Sequence, residues 1–326
     1  MLKNQNYHTP IIGMIKIGYT VPHGDGKRIP VRDDQFNITT RVKKDDKWKL
    51  HPLHNQLLDK IKLPKDVDQE EKKLRSIPIK LLFDNPQLNL SEHYEAWDIA
   101  DGARACVGDG EKCKRRDTNT GSVSEAKCNG PEFCEYAKNK NVRCKRMTRF
   151  IAQIEGQTEE LGVFMISTSG FNSTNTLSSK LLHLHSLHDG MLKGLPLKIL
   201  LRAKTNTTNR NNPFYYIDIE YADGIDTVKA HTAAKSLHDK YATAGLQIAK
   251  AEEALMKLFS QNPLQVEIDF EEVEDFYSGS NGAAGASTKS QTIGASQLAT
   301  ILGNAAPGEA NSAQRADSET GQLAAA

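Results

Sequence analysis

The chain has 326 residues, 38% hydrophobic and 25% charged, with a formal net charge of +1. That length holds one large domain or two ordinary ones, and the balance is that of a soluble globular protein. No stretch reaches the ~20 apolar residues of a membrane span, and MLKNQNYHTPIIGMIKIGY lacks a secretory apolar run; a cytoplasmic protein with no membrane partner is expected.

The near-neutral total hides local asymmetry. Between Lys112 and Arg149 there are eleven Lys or Arg against four Asp or Glu, whereas six of the nine residues from Glu267 to Asp275 are acidic and none is basic.

In chain order, residues 11–21 read as a β-strand, HGDGKRIP (23–30) as turn residues, and QFNITTRV (35–42) as a second strand from its alternation and β-branching. GDGK lacks the G-x-x-x-x-G-K-[S/T] spacing of a phosphate loop and precedes no helical pattern, so a hairpin turn is the reading. LPKDVDQEEKKLR (63–75) is an exposed connector, and IPIKLLF (77–83) is a strand closed by Asp84, Asn85 and Pro86. HYEAWD (93–98) leads into the cysteine window.

Beyond that window, residues 149–154 and 161–167 read as paired strands. A helix follows from about Ser173 to Leu192, capped by Asn172 or Ser173 and ended by Gly190 and Gly194. LPLKILLRAK (195–204) and PFYYIDIEY (213–221) form a further antiparallel pair. Residues 226–259 read as one long helix rich in Ala, Lys, Glu and Leu, with Gly245 a weak point costing ~1 kcal/mol relative to Ala. Residues 278–326 are dominated by Gly, Ala, Ser and Thr without an aromatic, a composition too apolar-poor to offset ordering entropy.

All five cysteines, Cys106, Cys113, Cys128, Cys134 and Cys144, fall in one basic window. The odd count in a reducing compartment argues against a disulfide framework. The spacing Cys113-x14-Cys128-x5-Cys134-x9-Cys144 suits four thiolates closing a tetrahedral Zn²⁺ shell, a structural site with no open position for an activated water. No C-x-x-C pair is present; unligated thiols are the plainer alternative, and a set that includes Cys106 stays open beside the favoured one that omits it. The inserts KRRDTNTGSVSEAK and NGPEF look too polar to fold alone, so a metal would supply their missing core. Lys114, Arg115, Arg116, Arg143, Lys145, Arg146 and Arg149 crowd this window and form a candidate surface for nucleic acid or an acidic partner. Aromatic interleaving is sparse, so base stacking has little support.

HLHSLHD (183–189) places His183, His185 and His188 on a helix without the Glu of H-E-x-x-H, and ordinary helix-surface histidines are expected. With no G-x-S-x-G, Walker or paired-carboxylate signature, neither an enzyme nor a small-molecule substrate is expected.

The ordered blocks IIGMIKIGYTVPHGDGKRIPVRDDQFNITT, IPIKLLFDNPQLNLSEHYEAW, ACVGDGEKCKRR, RCKRMTRFIAQI, LGVFMISTSGFNSTNTLSSKL and LKGLPLKILLRAK resemble the recombination directionality factors of phages that use large serine integrases. The resemblance covers about residues 11–221. It implies a non-enzymatic protein that binds a serine integrase, or another recombination protein, on DNA and favours excision over integration. It also implies that Cys113, Cys128, Cys134 and Cys144 are metal-binding. The alternative is a nucleic-acid-binding accessory protein of a mobile element, acting in single-strand DNA handling or repair.

The expected fold is α+β, with antiparallel-rich sheets, a zinc-knuckle insertion, one or two packed helices and a disordered C-terminal tail. Its expected divisions are a mainly β region (1–104), a basic cysteine-rich zinc knuckle (105–148), an α+β region (149–222), a long helix with an acidic segment (223–277) and the tail (278–326).

Overall fold

A computed structural model describes residues 9–23, 27–44, 47–62, 72–98, 103–117, 120–138, 142–205 and 213–259. The elements in order are β1 (Ile11–His23), β2 (Lys27–Lys44), β3 (Lys47–Leu50), α1 (Pro52–Lys60), β4 (Ser76–Lys80), α2 (Pro86–Asn89), β5 (Leu90–Asp98), β6 (Ala103–Gly108), β7 (Lys112–Arg116), β8 (Val123–Lys127), α3 (Gly130–Phe133), β9 (Val142–Ile154), β10 (Val163–Thr168), α4 (Phe171–Leu187), β11 (Leu197–Lys204), β12 (Phe214–Tyr221), α5 (Thr227–Thr243) and α6 (Ile248–Phe259). A 3₁₀ turn spans Tyr136–Lys138.

The main sheet runs β3, β2, β1, β10, β9, β5, β6, β7, β8. Its pairs are antiparallel except β1 with β10. A second layer, β4, β11 and β12, joins through the far end of β9, where Ile154 pairs with Ile79 and Gln153 with Lys80. The expected mixed, antiparallel-rich fold is therefore present, and β9 is its shared spine.

Alternation explains how the layers close. Ile77 and Ile79 on β4, Leu197, Ile199 and Leu201 on β11, and Ile217 and Ile219 on β12 point to one side. They meet Ile15, Phe36, Ile38, Phe150, Phe164 and Ile166 from the main sheet in one core. Helix α4 adds Leu177, Leu181 and Leu184, a stripe at helical spacing. Its first turn carries two buried hydroxyls: Ser173 Oγ accepts from Ile217 N at 3.1 Å, and Thr174 Oγ1 lies 2.8 Å from Thr148 Oγ1. Gly13 permits the closest approach, since a Cβ there would lie 2.5 Å from both Thr39 O and Phe164 Cε1.

Several expectations change in detail. Helix α4 starts at Phe171 after Gly170, with no side-chain cap, so neither Asn172 nor Ser173 caps it. It ends before Leu192 because Asp189 (φ 53°) and Gly190 (φ 83°) take left-handed conformations. The single long helix is two helices, α5 and α6. Gly245 (φ 75°) breaks it, the flexibility of glycine ending the helix outright rather than weakening it. Asp226 caps α5 by accepting from Lys229 N at 2.8 Å.

The α5–α6 pair meets the body through Ala230 and Ala234, which join the main core, and through polar contacts. Only Ala230 and Ala234 of α5 are buried. Asp84 Oδ1 accepts from Leu192 N (2.9 Å) and Lys193 N (2.8 Å), and its Oδ2 lies 2.7 Å from His238 Nε2. The buried Glu252 accepts from Asp84 N (2.9 Å) and Asn85 N (2.8 Å). The acidic segment 267–275, most of the connector 63–75 and the tail 278–326 lie outside the described residues.

Candidate functional site

The cysteine window is built on strands, not on an irregular knuckle. Its first insert, expected to be too polar to fold alone, is a hairpin: β7 pairs with β8 from Lys112 with Lys127 to Arg116 with Val123. Main-chain pairing and the Asp117 turn, which accepts from Thr120 N at 2.8 Å, order it without an apolar core of its own. Strands β6, β7 and β8 continue the main sheet beyond β5.

Register explains why the thiols meet. Ala96 on β5 pairs with Cys106 on β6 and with Cys144 on β9; Cys106 pairs with Arg115, and Cys113 with both Gly108 and Ala126. Directly paired residues, and residues two apart on a strand, share a face. Cys106, Cys113, Cys144, Arg115, Ala96 and Tyr94 therefore line one side of the sheet. Cys128, at the end of β8, is anchored by its amide donating to Glu111 O at 2.9 Å. Cys134 follows α3, and the 3₁₀ turn brings Tyr136 over the same face. Small residues make the room: a Cβ on Gly108 would lie 2.7 Å from Cys113 Cβ and from Cys128 Sγ.

Cys106, Cys113 and Cys128 are buried and pack with Ala96 and Ala105; Cys144 and Tyr136 pack against them. Burial pushes the Cys106 thiol up to about 12 against the opposing hydrogen bond from Arg115, with Cys113 adding to the rise. Burial, then the neighbouring Cys106, Cys128, Cys134 and Cys113, pushes Cys144 up to about 12. Arg115 stands among them. Its Nη2 lies 3.7 Å from Cys134 Sγ and 3.9 Å from Cys113 Sγ, and its guanidinium carbon is 4.1 Å from the Tyr136 ring centre. Burial opposes its charge, but the bond to Cys106 and the nearby Cys113 and Cys134 sulfurs keep it firmly cationic.

Two polar atoms here, Arg115 Nε and the Tyr136 hydroxyl, are buried without a hydrogen-bond partner. A neutral thiol is a weak acceptor, whereas a metal-bound thiolate accepts well. The donor set, all sulfur with surplus N–H and O–H donors around it, fits a thiophilic cation in its chemistry. As the thiols stand, no three His, Cys, Asp or Glu side chains among the described residues are disposed as a ready metal cage.

The basic residues do not form one patch. Arg115 belongs to the thiol cluster. Arg146 donates to Glu92 Oε2 (2.7 Å) and Asn175 Oδ1 (3.2 Å). Arg149 is buried on the opposite face, donating to Glu95 Oε1 at 2.6 Å and Oε2 at 2.9 Å. Lys114, Arg116 and Lys145 alternate with the cysteine face and lie behind it. The side chain of Arg143 is outside the described residues.

Sequence reasoning missed the buried charge group on that opposite face. Glu95 is fully buried, holds Arg149, and has Arg104 Nε at 3.5 Å. Burial works against its charge, but Arg149, Arg104 and His93 hold it down at about 2. The partners are 54 residues apart, beyond any local pattern. The histidines also differ from expectation. His183 is exposed, but His188 is fully buried, with Nε2 2.7 Å from the Tyr221 hydroxyl and Nδ1 3.4 Å from His231 Nδ1. Its place at the end of α4 turns it inward.

A family model described as Gp3-like, recombination directionality factor-like, matches residues 12–222. That span is more than half of the chain and takes in the described strands from the second residue of β1 to the end of β12, and the chain belongs to this family of recombination factors. No curated protein and no solved structure matches it. No described helix is long and apolar enough to cross a membrane.

Proposed function

We propose that this chain is a non-catalytic directionality factor that binds a serine integrase seated on attachment-site DNA and favours excision over integration. The family match over residues 12–222 carries the reading. Such a factor works by differential affinity: moving a 1:99 equilibrium to 99:1 takes about 5.5 kcal/mol. A stiff sheet with a large shared core suits that task. Zinc is proposed as its structural ion, held by four of the five thiols, the spacing set being Cys113, Cys128, Cys134 and Cys144. Bound there, zinc would supply a closed thiolate shell that cross-links the β6–β8 end of the sheet. Action in the cytoplasm follows from the reading.

The test is a recombination assay with the cognate integrase and paired attachment sites, with and without the protein. The reading expects excision products to rise and integration products to fall; an unchanged ratio excludes it.

One observation favours direct DNA contact as a second reading. The β7–β8 ribbon ends the sheet and carries Lys112, Lys114, Arg116 and Lys127 on the face behind the cysteines. A two-stranded ribbon fits the major groove. Salt-dependent binding of the protein alone to duplex DNA would support this reading, and its absence at low salt would remove it.

A further inference from the structure

The main sheet has two faces, and the large core lies on the inner one. Alternation sends Met14, Met147 and Met165 to the outer face, together with Glu95, Trp97, Arg104, Val107 and Arg149. We propose that this outer face is a docking surface for a segment that combines apolar and acidic residues, and that the chain's own residues 264–277 occupy it.

Burial and charge define what the face takes. Met14, Met147 and Met165 are 2%, 0% and 5% exposed, yet none of them belongs to the main core or to the thiol cluster. Helices α1, α4 and α5 and the β4, β11 and β12 layer all pack on the inner side. Met14 and Met165 are cross-strand partners, and Ile151 continues the strip toward Met147 on β9. Methionines make an adaptable apolar surface. Beside them Arg149 and Arg104 share the one carboxylate of Glu95, a buried group with a net charge of +1 that calls for a further anion. Lys145 pairs with Glu95, and Lys114 with Val107, so both stand on the same face; Lys16 stands on it two residues after Met14.

The occupant must bring apolar side chains and negative charge together. Residues 267–275 do: six are acidic, and the other three are Ile268, Phe270 and Val273. In VEIDFE (266–271) the two kinds alternate residue by residue. Reach agrees. Glu252 of α6 is bound by Asp84 N and Asn85 N, close to the start of β5, where Ser91 pairs with Arg149. Helix α6 ends at Phe259, and the five residues from there to Leu264 span up to ~18 Å. DNA would match the lysines but not the methionines, since phosphate offers no apolar surface to cover them. The same segment from a second copy would bring the same chemistry, and the experiment separates the two.

The test is carbodiimide cross-linking of the full chain, which joins carboxylates directly to lysine amines, on a mixture of ¹⁵N-labelled and unlabelled protein read by mass spectrometry. Links from the acidic residues of 267–275 to Lys16, Lys114 or Lys145 are expected within one isotopic species. Links found only between species would assign the face to a second copy, and no link to these lysines would place the segment elsewhere; either overturns the proposal. Peroxide oxidation of the methionines is the second readout. The full chain carrying Ile268→Asp and Phe270→Asp should oxidise Met14, Met147 and Met165 about 10-fold faster than wild type as their cover is lost. Met191, packed against the main core, is the control. Unchanged rates at the three outer methionines overturn the proposal. Where Met191 speeds up equally, the variant has lost its fold and the wild-type cross-links decide.

Discussion

Replacing Glu95 by Gln tests the strongest energetic inference from this fold. The carboxylate is fully buried and faces Arg149 and Arg104, both themselves largely buried. Truncating one partner of such a group strands the others, which typically costs about 3–5 kcal/mol. At about 2–4 °C per kcal/mol that lowers the melting temperature by roughly 6–20 °C. The pH dependence gives a second, independent magnitude. Glu95 falls from 4.5 to about 2 on folding. A depressed carboxylate contributes stability that is complete above its unfolded value and lost as pH falls toward its folded value. At 1.36 kcal/mol per unit this is roughly 3 kcal/mol, present at pH 7 and lost between about pH 5 and pH 2. Urea unfolding followed by circular dichroism at pH 7, 5, 4 and 3 measures both. Glu95→Gln should be less stable at pH 7, and its stability should fall less steeply with acid than that of the wild type. A variant within 1 kcal/mol of wild type at pH 7, or one with the same acid slope, would refute the argument.

Gly13→Ala should lose about 1–3 kcal/mol, because the added methyl meets the Thr39 carbonyl and the Phe164 ring with no flexible neighbour to yield; an unchanged urea midpoint would count against it. Gly108→Ala places a methyl against Cys113 and Cys128, so on the zinc reading zinc affinity by chelator competition should fall while the melting of the main core changes little. The His238 pair with Asp84 titrates. Burial opposes its charge, but Asp84 and the Ala234 carbonyl raise its pKa above 6.5. The sign is that of a raised histidine: the contact is complete below pH 6.5 and weakens as pH rises through the folded value. Proteolysis within α5 should therefore speed up between pH 6 and pH 8 relative to an unstructured control peptide, and His238→Ala should abolish that dependence.

Much of the fold was legible because local patterns and tertiary packing agree. The alternating runs in β1, β2, β11 and β12 each have one apolar face that closes on the same core, so period-2 reading found them. The break at Gly245 was legible as a weak point but not as the end of a helix, since the left-handed φ just beyond α5 is a backbone choice that Gly permits without requiring. The cysteines were legible as a group because they are close in sequence. Their order in space was not, because Cys106 and Cys144 meet through Ala96, a residue with no chemical signal of its own. The basic surface was misleading for a related reason. Strand alternation divides Lys114, Arg115 and Arg116 between two faces, and Arg149 is consumed by a carboxylate 54 residues away. Charge density along a chain reports a surface only when the strands that carry it do not alternate it away.

The two cores of the sheet differ in kind, and that difference predicts how the protein responds to metal removal. Around β1, β2, β4, β9, β10, β11 and β12 the core holds Phe36, Phe150, Phe164 and many buried Leu and Ile residues, each burial worth about 1.5–3 kcal/mol. At the other end, β6, β7 and β8 close over a small cluster of Ala96, Ala105 and three buried thiols, with Tyr94, Ala126, Tyr136 and Cys144 packed against it. Main-chain pairing and this small cluster hold the end of the sheet, and among the described strands the edge strand β8 pairs with β7 alone. On the zinc reading, chelation should unfold this end while the large core persists, because β9 is held there by β10 and β4 independently of β5. Hydrogen exchange after chelator treatment should show protection lost across residues 103–134 and kept across 147–154, 163–168 and 197–201. Cooperative loss over the whole chain would mean that β9 transmits the damage. Full retention across residues 103–134 would mean that main-chain pairing alone holds the ribbon, leaving the thiols no structural work. Either result would overturn the division between a self-sufficient core and a metal-dependent arm.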